Sequence, residues 1–137
     1  MILDIYTDGA SRSNPGKSAS GYVVLDAYGN VMLSKSFYNG IRTNNEAEYL
    51  AIIAALEAVA HEYGYGVEVR LHSDSELAIK QLRGEYRVKS HSMGKLNEEA
   101  KSILSKFYQY SLENVPRENV HISEVDAGLN RLLDKYG

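Results

Sequence analysis

Apolar runs and their spacing divide the chain into elements before any single residue stands out. The run ILDIYT, closing on Asp8-Gly9, predicts a strand over residues 2–8, and the β-branched and aromatic stretch GYVVLDAYG predicts another over 20–26. A third is expected over 31–38, across the turn Asp26-Ala27-Tyr28-Gly29-Asn30, which makes an antiparallel meander. TNNEAEYLAIIAALEAVAHEYG then reads as a helix. It opens with the capping box Thr43-x-x-Glu46 and stops at Gly64. In VEVRLHSD, Val67, Val69 and Leu71 alternate with polar neighbours as in a half-buried strand. A short helix is expected over 75–82 and a polar loop from Gly84 to Gly94. A helix over 94–108, a strand over 111–115 and a last helix over 123–135 follow. In that last helix Val125, Leu129, Leu132 and Leu133 share one face. The order implies a mixed sheet whose first three strands are antiparallel and whose later strands arrive by helical crossovers, an α/β fold in one domain over residues 1–137.

Composition narrows the chemistry. With 137 residues and 44% apolar content, one core burying roughly two thirds of the unfolded surface is expected. There is no cysteine, so disulfides and thiolate metal sites are excluded and any metal must be held by oxygen or imidazole. Asp4 interrupts the N-terminal residues and no apolar run nears the length of a membrane span, so neither a signal peptide nor a transmembrane segment is expected and the default compartment is the cytoplasm. Net charge is −3, but Lys80, Arg83, Arg87, Lys89 and Lys95 cluster against the one acid Glu85. Taken by charge alone, that segment reads as a solvated face or a phosphate-binding patch.

Four acids stand where elements begin, end or pack: Asp8 closes the first strand, Glu48 lies in the first helix, Asp74 closes the fourth strand and Asp126 opens the last helix. Turn and cap roles account for three of them singly: Asp8-Gly9 as a turn pair, Asp74 as a cap, Asp126 completing a box begun by Ser123. Glu48 resists such a reading. Its neighbours are Ala51, Ile52 and Ala55, and no basic residue within the helix from 44 to 60 supplies a partner. Glu46 has the capping role. If the first and fourth strands are neighbours, Asp8 and Asp74 meet at one edge with Glu48 packed over it. Like charges about 4 Å apart repel by roughly 4 kcal/mol at an effective dielectric of about 20, so such a cluster implies bound divalent cations or raised pKa values. Oxygen ligands select Mg²⁺ or Mn²⁺, and several carboxylates in one cleft suit two ions and phosphodiester cleavage.

A second motif competes for attention. Gly16-Lys17-Ser18 ends like a phosphate-binding loop, but Ser11 stands where the first glycine of that loop belongs, and the residues after it predict a strand instead of a helix.

TDGASRSNPG, TNNEAEYLAIIAAL, LHSDSELAIKQLRGEY and, more loosely, VPREN followed by VDAGLN give the chain its resemblance to the type 1 ribonuclease H family over essentially its whole length. The resemblance implies a three-layer fold with a five-stranded mixed sheet flanked by helices. It implies an endonuclease that cuts the RNA strand of an RNA·DNA hybrid with two Mg²⁺ ions, Mn²⁺ substituting, to leave 5′-phosphate and 3′-hydroxyl ends. Carried over by position, the catalytic and metal-binding acids are Asp8, Glu48, Asp74 and Asp126. Asp8 is expected to bridge the ions and Asp74 to hold the one that activates water; Glu48 and Asp126 complete the shells, with Glu48 near a ribose 2′-hydroxyl. Glu124 rivals Asp126, which the following AGLN favours. Asn14, Asn44 and Asn45 resemble minor-groove contacts and Thr43 a DNA-phosphate contact, and Lys80, Arg83, Arg87 and Lys89 become candidate phosphate ligands. His121 is a candidate for the proton-transfer histidine of some members, set against an idle loop histidine. The chain lacks the long basic, tryptophan-rich protrusion of well-known bacterial members, so weaker and more salt-sensitive hybrid binding is expected. A monomer is expected, and double-stranded RNA stays open as a second substrate.

Overall fold

The structure, a computed structural model, describes residues Met1–Tyr136. Its strands are β1 (Ile2–Arg12), β2 (Gly16–Leu25), β3 (Val31–Arg42), β4 (Glu68–Ser73) and β5 (Gln109–Asn114); its helices are α1 (Asn44–Tyr63), α2 (Glu76–Leu82), α3 (His91–Lys106) and α4 (Val120–Tyr136). The sheet order is β3-β2-β1-β4-β5. β1 and β2 pair antiparallel, as do β2 and β3, whereas β4 lies parallel to both β1 and β5. The meander and the later crossovers thus take the arrangement that the sequence pattern implies.

Alternation along each strand sorts side chains onto two faces. Leu3, Ile5, Tyr22, Val24, Val69, Leu71 and Leu112 meet apolar residues of α1, α2 and α3 in the larger core. Ala19, Val23 and Leu25 meet Val125, Leu129 and Leu133 of α4 on the other side. Buried on both faces, β2 carries only apolar or small residues from Ser18 to Leu25. Within the larger core, Tyr49 donates its hydroxyl to Gln81 Oε1 at 2.9 Å and accepts from Asn97 Nδ2 at 3.0 Å, so one buried polar chain ties α1 to α2 and α3. Each polar group of that chain has a partner, which is the condition for tolerating it.

Several boundaries move for reasons of capping. α1 starts as expected: Thr43 Oγ1 accepts from the Glu46 amide and Glu46 returns the bond to the Thr43 amide. α3 begins at His91 rather than 94, because Ser90 Oγ accepts from Met93 N and caps the helix early. α4 begins at Val120 rather than 123, because Asn119 Oδ1 accepts from both His121 N and Ile122 N. Ser123 therefore lies inside the helix, and Asp126 neither opens it nor completes a capping box. β1 and β2 run on to a hairpin around Asn14, with Lys17 paired to Arg12 and Ser18 to Ser11. The GKS triplet is strand, without the helix start that a phosphate loop requires.

Candidate active site

The parallel ladder of β1 and β4 ends with Thr7 opposite Ser73, so the next residues, Asp8 within the longer β1 and Asp74 just past the end of β4, emerge together at that edge, and Asp8 does not close its strand as the sequence pattern implied. Glu48 comes from α1, which approaches at Gly9. A Cβ there would lie 2.3 Å from the Ala47 carbonyl carbon and 2.6 Å from the Glu48 nitrogen, so only glycine admits the helix this close. The contact is used: the Gly9 amide donates to Glu48 Oε1 at 2.6 Å. One ligand-capable oxygen from each of Asp8, Glu48 and Asp74 lies within 4.8 Å of the others. Asp126, from the second turn of α4, joins them in a cleft of about 370 Å³ lined also by Gly9, Ala10, Ser11, Asn44, Ser75 and Arg117.

Burial makes this cluster electrostatically costly. Asp8 is 6% and Glu48 7% exposed. Burial is the first cause that lifts the Asp8 carboxyl to about 7; a hydrogen bond with Glu48 pulls the other way, and the charges of Asp74 and Asp126 add to the rise. Glu48 is pushed well above the carboxylate range, first by burial and then by the charge of Asp8. Asp74 is raised by burial while the Arg117 guanidinium opposes the rise. A set of carboxylates that resists ionisation this strongly, with oxygen donors alone, fits a hard divalent cation.

A reverse transcriptase-like family model matches residues 6–127. Ribonuclease HI of Halobacterium salinarum is 38% identical over 129 residues, which cover 94% of this chain and 63% of that protein. A crystal structure of ribonuclease H1 from the same organism superposes with a TM-score of 0.91 at 36% identity, covering 98% of this chain and 99% of that one. This chain belongs to the type 1 ribonuclease H family. Further relatives include a bifunctional Mycobacterium tuberculosis protein, 38% identical over 118 residues, which are 85% of this chain and 32% of that protein. The chain thus spans 63% and 32% of the length of these two curated relatives. The structure of a ribonuclease H1 from compost in complex with an RNA/DNA hybrid matches with a TM-score of 0.90 at 34% identity, covering 98% of each chain.

Around the cleft, the other sequence candidates separate. Asn44 lines it, accepting from Ser11 N at 2.8 Å, while its own amide donates to Asn14 Oδ1 at 3.0 Å. Asn45 lines a neighbouring cleft of about 300 Å³ with Arg87, Lys89 and Ser90. Thr43 is committed to capping α1. Lys80 pairs with Glu76 at 3.2 Å and sits 5.0 Å from the Tyr86 ring, and Arg83 donates to the Leu112 carbonyl, so these two brace α2 and β5. Glu124 is exposed and lines a different cavity with Lys35, Gly128 and Arg131, away from the acids. His121 is no loop residue. It occupies the first turn of α4, its ring 4.6 Å from that of Tyr6, and does not line the cleft. Sequence reasoning missed Arg117, the one cation lining the acidic cleft among the described residues. Arg117 lies within VPREN, and the charge in that stretch was the available signal.

Proposed function

We propose that this chain is an endoribonuclease that hydrolyses the RNA strand of RNA·DNA hybrids, using two Mg²⁺ ions, Mn²⁺ substituting, to leave 5′-phosphate and 3′-hydroxyl ends. The observation that carries the reading is the convergence of Asp8, Glu48 and Asp74 within 4.8 Å in a cleft that Asp126 also lines. The similarity to a ribonuclease H1 held on an RNA/DNA hybrid supports the choice of substrate. Asp8, Glu48, Asp74 and Asp126 are the residues that would hold the ions, with Asp8 central among them. When bound, such ions activate a water for in-line attack and neutralise charge on the departing oxygen.

The side chains do the rest. Glu48, which lines the cleft, is held there by the Gly9 amide at Oε1. Arg117 meets the scissile phosphate, supplying the one positive charge that the lining offers among the described residues. Asn44, positioned by Asn14, presents a polar edge at the rim. Asn45, Arg87 and Lys89 receive a backbone phosphate in the adjoining cleft.

The test is cleavage of an end-labelled hybrid in Mg²⁺ or Mn²⁺, with a DNA duplex and double-stranded RNA as controls. Asp8→Asn and Asp74→Asn are expected to lose cutting by at least about 100-fold while retaining the fold. Undiminished turnover in both would sink the assignment.

A further inference from the structure

Ser73 closes β4 one residue before Asp74, and its side chain is fully buried. Four polar contacts converge on it. Its hydroxyl donates to Glu48 Oε2 at 3.4 Å and accepts the Ser75 amide at 3.0 Å. Its carbonyl accepts from the Val115 amide at 2.9 Å and from Asn114 Nδ2 at 3.1 Å. A serine hydroxyl has a single hydrogen. Since the Ser75 amide occupies a lone pair of the oxygen, that hydrogen is left to point at the carboxylate.

The two hydroxyl contacts reach two different acids. The bond to Ser75 shapes the turn by which the chain leaves β4, and Asp74 is the residue inside that turn. The bond to Glu48 fixes the second oxygen of a carboxylate whose first is held by Gly9. The last torsion of a glutamate is broad, so a carboxylate held by one oxygen swivels and one held by both does not. Opposite Ser73 in the β1–β4 ladder stands Thr7, equally buried, whose hydroxyl has no partner. Two buried hydroxyls thus lie side by side, one wired to the acids and one not.

We infer that Ser73 is a positioning residue of the metal site: one buried hydroxyl sets the placement of the Glu48 carboxylate relative to Asp74. The inference rests on the reading of the cleft as a divalent-cation site, and outer-shell partners of this kind are worth about 10-fold to 100-fold in metal affinity.

The experiment is calorimetric titration of Mn²⁺ into the native chain, Ser73→Ala and Thr7→Val, with thermal unfolding of each in EDTA. Ser73→Ala is expected to weaken Mn²⁺ binding by about 10-fold or more, and raising Mn²⁺ to saturation restores its cleavage of hybrid. Thr7→Val, which deletes the unwired hydroxyl at the same depth, keeps native affinity. Native affinity in Ser73→Ala overturns the inference whatever its melting temperature, and so does an equal loss in Thr7→Val, which would mean general loosening. If the native chain itself takes up no Mn²⁺, the metal-site reading fails first and the inference with it.

Discussion

At the scale of single residues, the acids do not contribute alike. Asp8 has the central place, so Asp8→Asn removes both a ligand and a source of repulsion. In metal-free buffer the variant is expected to melt above the native chain while its hybrid cleavage is lost, as seen by calorimetry beside a gel assay. The fourth acid separates by position: Asp126→Asn should cut activity at least about 10-fold and Glu124→Gln leave it within about 2-fold, because Glu124 lines another cavity. Arg117→Ala is expected to slow turnover by about 10-fold to 100-fold in single-turnover assays. Asp8, Glu48 and Asp74 were legible in the sequence because each carboxylate stands in or beside an apolar run that burial must reach. Arg117 was not. An arginine in an exposed loop looks the same in sequence whether it faces water or a cleft, and only the return of β5 past Asp74 decides.

At the scale of elements, periodicity located every strand and helix, while the strands β1, β2 and β3 run longer than it implied and two helix starts moved where side chains bond to backbone. Asn119 draws the start of α4 back to Val120, and Ser90 does the same for α3 at His91. Such caps are chosen by local geometry, with Ser, Asn and Asp all able to serve, so a stretch holding several of them does not disclose which one wins. Asn119→Ala is expected to cost about 1 kcal/mol, read as a lowered midpoint in urea. The extended hairpin was hidden for another reason: SRSNPGKS has no apolar rhythm, yet pairs in register because both flanking strands are fixed by the core. Lys17 there donates to the Tyr136 carbonyl, beside a stacked pair, Tyr38 and Tyr136, whose rings lie 3.8 Å apart. Its role is to hold the far end of α4, so neither the native chain nor Lys17→Ala should retain a nucleoside triphosphate in equilibrium dialysis.

At the scale of the whole molecule, the acids link stability to pH and to metal. The Asp8 carboxyl, lifted from 3.8 to about 7, keeps its proton in the folded chain through a range where the unfolded chain has lost it. The folded state then binds more protons, so stability falls as pH rises from about 4 to about 7. In EDTA the melting temperature is expected to be lower at pH 8 than at pH 5, and Mn²⁺ to raise it more at pH 8. A melting temperature in EDTA that climbs between those pH values would contradict the electrostatic picture. Among the described residues no helix is long and apolar enough to cross a membrane.

The placement of α4 has a consequence for synthesis. Among the described residues this helix alone covers the second face of the sheet, and it follows the other elements in chain order. Until residues 120–136 have left the ribosome, Ala19, Val23 and Leu25 face water and the cleft lacks Asp126. A nascent chain is therefore apolar on one exposed side, and the acidic cleft is complete only once α4 docks.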